Sequence, residues 1–238
     1  MASDNFCLLN LRTSTTESMD GFHRAATRFS FEKNYLAATK PTGKESDLWL
    51  VLHGYGQLAP YFLHKFRHLV APDRLIVAPE GINRFYQEGY SGRVGANWMT
   101  SHERENDIAN CNHYLDGVVN DCLEQIGPAP RIHLLGFSQG AATASRWVAH
   151  TSHPITSLTL WGGGLAHDLD LDTFRKKISA TNIFLVVGRQ DTFLTPSKIQ
   201  EQEALWKHLQ PMHTSTIQYE GGHELMPHVL ADIFNRCV

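Results

Sequence analysis

Short apolar runs recur along this chain with helix-period segments between them, and that alternation limits its fold more than any other feature. The runs lie at 48–52, 75–78, 132–135, 158–161, 183–187 and 216–219. Each is short enough for a buried strand, and 48–52, 75–78 and 183–187 are apolar throughout, as expected of strands covered on both faces. Between them, 60–70, 103–126, 141–150, 173–178, 197–209 and 224–237 have helical periodicity. In 103–126, Ile108, Cys111, Leu115, Val118, Val119 and Cys122 form one apolar stripe. Strand followed by helix, repeated, predicts an α/β fold: a mostly parallel central sheet with helices on both faces. Residues 24–39 read as two β segments turning at Glu32-Lys33-Asn34, an antiparallel hairpin at the N-terminal side of that sheet.

No repeat, low-complexity tract or Pro/Ser linker interrupts the 238 residues, so one domain over 1–238 is expected. Lys plus Arg number 21 against 24 Asp plus Glu, a balance of 21 − 24 = −3, with no basic block to follow a phosphate backbone. Nucleic acid is not an expected partner. Residues 1–7 lack the basic and apolar regions of a signal peptide, and no apolar run is long enough for an integral membrane segment. Cys7, Cys111, Cys122 and Cys237 are scattered, without a C-x-x-C pair. Reduced thiols and a cytoplasmic location are the corresponding expectation. Assembly as a homodimer is left open.

Open parallel sheets bind ligands at the carboxyl ends of their strands. At one such end the run from Ile132 passes through Gly136-Phe137-Ser138-Gln139-Gly140 directly into the small residues Ala141 and Ala142. A serine on a tight strand-to-helix turn is held in a strained conformation with its hydroxyl exposed, and glycine at both flanks lets neighbouring backbone approach. The helix behind it directs its unpaired N–H groups and positive end at the place where an oxyanion would form. Ser138 is therefore the candidate nucleophile and the Gln139 N–H the first oxyanion donor; a serine acting only as helix cap would not need both glycines. A second donor is expected after 48–52, where His53-Gly54-Tyr55-Gly56 places the Tyr55 N–H.

An acid and a base are then sought after Ser138, each at a strand end and in the order acid, histidine. Asp191 follows 183–187 through Gly188-Arg189-Gln190, and His223 follows 216–219 through Glu220-Gly221-Gly222. His223 would take the Ser138 proton and return one to the leaving group, with Asp191 fixing its tautomer. Asp168, Asp170 and Asp172 compete for the acid, Asp172 reading as a helix cap and the other two as solvated loop acids. His53, His133, His213 and His228 read as structural histidines. His64 and His68, four apart on a predicted helix, have zinc-binding spacing but no third ligand, so no metal is expected. Trp161-Gly162-Gly163-Gly164 could wall the pocket. The segment 80–101, rich in Gly and aromatics (Phe85, Tyr86, Tyr90, Trp98) and without helical or strand period, reads as a long loop and a candidate substrate flap.

His53-Gly54-Tyr55-Gly56, Gly136-Phe137-Ser138-Gln139-Gly140, Gly188 to Asp191 and Gly221-Gly222-His223-Glu224, in that order, resemble the phospholipase/carboxylesterase branch of the α/β-hydrolases, which includes acyl-protein thioesterases. The resemblance implies an α/β-hydrolase fold without a substantial lid and no cofactor. It also implies hydrolysis of small acyl esters, lysophospholipids or protein thioesters by a triad of Ser138, Asp191 and His223, with Tyr55 and Gln139 as the oxyanion hole. Two departures stand near that site: one extra residue between Asp191 and Pro196, and the 80–101 segment in place of a shorter one.

Overall fold

The sequence from Asp47 to Leu52 explains the core. Alternate residues of a strand point to opposite faces, and all six here are buried. Leu48, Leu50 and Leu52 join the cluster on one face; Trp49 and Val51 join the cluster on the other. A strand apolar on both sides has to lie inside a sheet covered on both sides.

A computed structural model describes residues 25–127 and 129–237. Two units are distinguished, 1–32 and 33–238. In the first, the described residues 25–32 carry no regular secondary structure. In the second, the described residues form a seven-stranded sheet, a separate two-stranded hairpin and six α-helices. The sheet strands are β1 (Tyr35–Ala37), β2 (Asp47–Leu52), β3 (Arg74–Pro79), β6 (Arg131–Phe137), β7 (Ser157–Trp161), β8 (Asn182–Gly188) and β9 (Thr214–Tyr219), in the order β1-β3-β2-β6-β7-β8-β9. Only β1 runs antiparallel to its neighbour. The hairpin pairs β4 (Asn83–Glu88) with β5 (Ser91–Asn97).

The helices are α1 (Ala59–His64), α2 (Arg104–Leu123), α3 (Gln139–His150), α4 (Leu171–Lys177), α5 (Pro196–Leu209) and α6 (Pro227–Arg236). Cys111, Leu115, Val118, Val119 and Cys122 of α2 pack with Trp147 of α3, Phe174 of α4 and Leu209 of α5 on one face. Phe62 of α1 and Ile233 and Phe234 of α6 pack on the other, where the Trp49 ring stacks on Phe234 at 3.6 Å and on His133 at 4.5 Å. Cys111, Cys122 and Cys237 are buried free thiols. Among the described residues no helix is long and apolar enough to cross a membrane.

His133 is structural, as its early position suggests. Its Nε2 lies 2.9 Å from Asp47 Oδ1 and its Nδ1 2.8 Å from Ser157 Oγ, at the end of the sheet remote from Ser138. Burial alone would raise the Asp47 pKa, but hydrogen bonds from Arg131, His133 and Ser46 hold it below the usual carboxylate value.

Three expectations change. The N-terminal hairpin is one strand, β1: residues 25–34 hold no strand, and position 24 lies outside the described residues. The predicted helix over 60–70 is two pieces, α1 and a 3-10 turn at Arg67–Leu69, so His64 and His68 do not share a helix face. The 80–101 segment contains the β4–β5 hairpin. Its first strand is mostly exposed, so burial imposed no apolar alternation that a sequence reading could detect.

Replacing Trp49 by Ala should lower the unfolding free energy by about 3–5 kcal/mol, because the cavity opens beneath Phe234 and His133. Urea denaturation measures this.

Candidate active site

The carboxyl ends of β6, β7, β8 and β9 lie side by side, which brings four loops together. At the end of β6, Ser138 has φ 55° and ψ −116°, outside the helical and extended regions, and α3 begins at the next residue. Holding a non-glycine residue there costs about 1–3 kcal/mol. Its N–H donates to Trp161 O at 2.8 Å, tying the turn to the neighbouring strand. A Cβ on Gly136 would collide with the Gly140 carbonyl, and one on Gly140 with the Leu52 carbonyl. Glycine on both flanks is therefore what lets α3 start so close to β2 and β6.

At the end of β8, Asp191 is 7% exposed. Its Oδ2 accepts from His223 Nδ1 at 2.7 Å, and its Oδ1 from the Phe193 N–H at 2.9 Å. The loops after β8 and β9 are joined by Arg189 N–H to Tyr219 O at 3.0 Å and Gln190 N–H to Gly221 O at 2.9 Å. The His223 ring packs against Phe137, at 4.8 Å, and Phe193, at 4.7 Å. A Cβ on Gly162 would sit 3.1 Å from that ring and 3.4 Å from Asp191 Oδ2. Ser138 and His223 line one cavity of about 270 Å³ with Gly162, Gly163, Gly164 and Phe193.

Gly54 brings the H-G-Y-G loop to the same place: a Cβ there would be 3.2 Å from Ser138 Cβ. The Gly54 N–H donates to Gln57 Oε1, the Gly56 N–H to Ala96 O, and Gly54 O accepts from the Gln57 N–H. The Tyr55 N–H takes no part in these bonds. At the start of α3, the Gln139 N–H has no intrahelical acceptor. The structure thus gathers Ser138, Gln139, His223 and Asp191 around one strand-end cluster, with Gly54, the residue before Tyr55, packed against Ser138.

The residues 33–236 match the phospholipase/carboxylesterase family. The chain belongs to that family. It is a hydrolase of the carboxylesterase type. No curated protein matches the sequence directly. Its fold is similar to that of Zea mays acyl-protein thioesterase 2, at 15% identity and a TM-score of 0.65, over 86% of this chain and 97% of that one. A phospholipase/carboxylesterase from Dyadobacter fermentans is 19% identical, with a TM-score of 0.64 over 88% and 98% of the two chains. The Bacillus cereus carboxylesterase is 14% identical, with a TM-score of 0.64 over 87% and 95%.

The competing acids of this phospholipase/carboxylesterase family member lie in other roles. Asp168 bonds Arg104 at 2.6 Å and Arg146 at 2.8 Å, so it is an ion-paired residue and not a solvated loop acid. Asp170, not Asp172, caps α4, accepting from the N–H groups of Asp172 and Thr173. Its carboxylate is free to do so because α4 starts one residue after it.

Several contributing residues have no sequence signature, because their partners are distant along the chain. The Gln139 side chain accepts from the Trp98 N–H at 3.1 Å and donates to Met99 O at 3.0 Å. Trp98 Nε1 donates to His53 O at 2.7 Å, and the Ala96 N–H to Gln57 O at 3.2 Å. The exit of the β4–β5 hairpin therefore clasps both the H-G-Y-G loop and the residue after Ser138. Tyr219 Oη, 5% of whose residue surface is exposed, lies 2.7 Å from both Gly222 O and Glu224 O and bridges the turn that carries His223. Gln202 of α5 holds Leu165 at its N–H, 2.7 Å, and at its carbonyl, 3.2 Å, closing the loop after β7.

His53 is fully buried, and its Nε2 accepts from the Gly81 N–H at 2.9 Å while its Nδ1 donates to Gly54 O at 2.8 Å. Only the neutral ring can make both bonds. Burial pushes its pKa from 6.5 down to about 4. The unfolded chain therefore binds this proton more readily, so the contribution is complete above pH 6.5 and is lost as pH falls through the window down to about 4. A shift of that size corresponds to on the order of 3 kcal/mol. Burial lowers the His133 pKa as well, in the same direction. Stability measured by urea unfolding should fall across this window, and His53→Asn should flatten the fall; an unchanged slope in that variant would assign the effect elsewhere.

Proposed function

We propose that this protein is a serine carboxylic-ester hydrolase that works through a Ser138–His223–Asp191 triad and an acyl-enzyme. The observation that carries the reading is the 2.7 Å His223–Asp191 pair opening into the cavity that Ser138 lines from its strained turn. Asp191 holds Nδ1 protonated, which leaves Nε2 as the basic nitrogen. Nε2 takes the Ser138 hydroxyl proton as Oγ attacks the acyl carbon. The resulting oxyanion receives the Tyr55 and Gln139 N–H groups, both fixed in place beforehand by the hairpin clasp.

Collapse of the tetrahedral adduct breaks the bond to the leaving oxygen, which departs with the proton from His223. Water then enters, gives its proton to Nε2 and attacks the acyl-serine. The second collapse releases the acid and restores the Ser138 hydroxyl with that proton. A thiolate can leave by the same route, so acyl thioesters and lysophospholipids differ from simple esters in the leaving group and not in the machinery.

The Phe137 and Phe193 rings pack against the imidazole, which becomes an imidazolium during each step, and limit its motion. Asp191, buried and doubly hydrogen-bonded, stabilises the same cation at close range.

Ser138→Ala should reduce turnover of p-nitrophenyl butyrate by at least about 10³-fold and abolish labelling by a fluorophosphonate. Asp191→Ala should lower kcat by on the order of 10³–10⁴. Full activity in Ser138→Ala would overturn the mechanism. Running ester and thioester substrates of equal acyl length side by side ranks the leaving groups.

A further inference from the structure

A second concave surface begins immediately past Tyr55. A cavity of about 480 Å³ lies between α1, the H-G-Y-G loop and the β4–β5 hairpin, and Gly56 and Gln57 form its inner end. Leu58, Tyr61 and Val94 supply apolar wall, while Lys65 and Arg93 stand at its rim. Both cations are exposed, and among the described residues neither has an ion-pair partner. No carboxylate lines the cavity. The chain carries none at all between Asp47 and Asp73, a stretch that holds Lys65 and Arg67. Lone cations of one sign around a concave, partly apolar surface raise the local concentration of anions.

Gln57 of this cavity and Ser138 lie on either side of Gly54, where a Cβ would be 3.3 Å from Gln57 Oε1 and 3.2 Å from Ser138 Cβ. Under the proposed mechanism the leaving group has to face His223, which lines the 270 Å³ cavity on the β7–β8 side. An acyl chain that leaves the tetrahedral carbon away from His223 and crosses the H-G-Y-G loop enters the larger cavity. The side chain of Gln87 fixes that edge by donating to Gly56 O at 2.5 Å, and Gly95 packs against the same peptide. The wall between catalytic loop and hairpin is thus hydrogen-bonded in place.

We infer that this cavity is an acyl subsite whose cationic rim receives an anionic terminus, so that the preferred substrates are esters of acids carrying a second, negatively charged group. The inference rests on the reading of Ser138 as nucleophile. The apolar walls accept the methylenes of the chain, and Lys65 and Arg93 meet the charge at its end. Because both cations are exposed, the attraction is screened by salt.

The test compares two esters matched in chain length, mono-p-nitrophenyl adipate and p-nitrophenyl hexanoate, on the full chain. The ratio of their kcat/KM values should favour the adipate by about tenfold, which corresponds to about 1.4 kcal/mol. It should fall with rising salt and collapse in a Lys65→Met, Arg93→Met double variant, chiefly through KM for the adipate. No preference for the adipate, or a preference unchanged in the double variant, would overturn the subsite. Hydrolysis of the hexanoate that persists in Ser138→Ala would instead overturn the underlying mechanism, and the subsite with it.

Discussion

The backbone of Ser138 is the constraint around which the other parts are arranged. Its φ of 55° is not one an L-residue adopts freely, so the surrounding structure has to hold it. The hold comes from the bond to Trp161 O, and from glycines at 136 and 140 that let three backbones meet where side chains would collide. These contacts require β2, β6 and β7 in their observed register, and that register depends on the apolar faces of β2 and β6 being buried by helices on both sides. Strain at one serine is thus balanced by burial across the whole sheet.

The same logic extends to the residues beside it. The exit of the β4–β5 hairpin bonds to Gln139 on one side and to His53 and Gln57 on the other, so two loops that are far apart in sequence share one support. His53 contributes by staying neutral: a protonated ring would present an N–H to the Gly81 N–H instead of an acceptor. The geometry of the H-G-Y-G loop and the stability of the fold therefore depend on a single protonation state.

The parallel sheet was legible because its strands are buried on both faces, which compels continuous apolar runs such as Leu48 to Leu52. The positions of Ser138 and Asp191 are legible for a related reason, since each follows such a run; His223 follows the half-polar edge strand β9, and strand ends in a parallel sheet are neighbours. The hairpin at 83–97 was not, because its first strand is mostly exposed and polar residues carry no period when neither face needs covering. Asp172 reads as the cap of α4 in the sequence because it offers the same chemistry as Asp170 two residues earlier, and only the start of the helix decides between them. The clasp through Trp98 and Gln139 joins residues separated by 41 positions, and nothing local to either residue encodes it.

The central claim is that acyl transfer passes through Ser138, and the most direct measurement is trapping of the intermediate. Rapid acid quenching after mixing with a slowly deacylating p-nitrophenyl ester, followed by intact-mass and peptide analysis, should show one acyl group per chain on the peptide containing Ser138, with release of p-nitrophenol in a burst of matching amplitude. An acyl group on another residue, or single-turnover hydrolysis without any covalent adduct, would contradict the account.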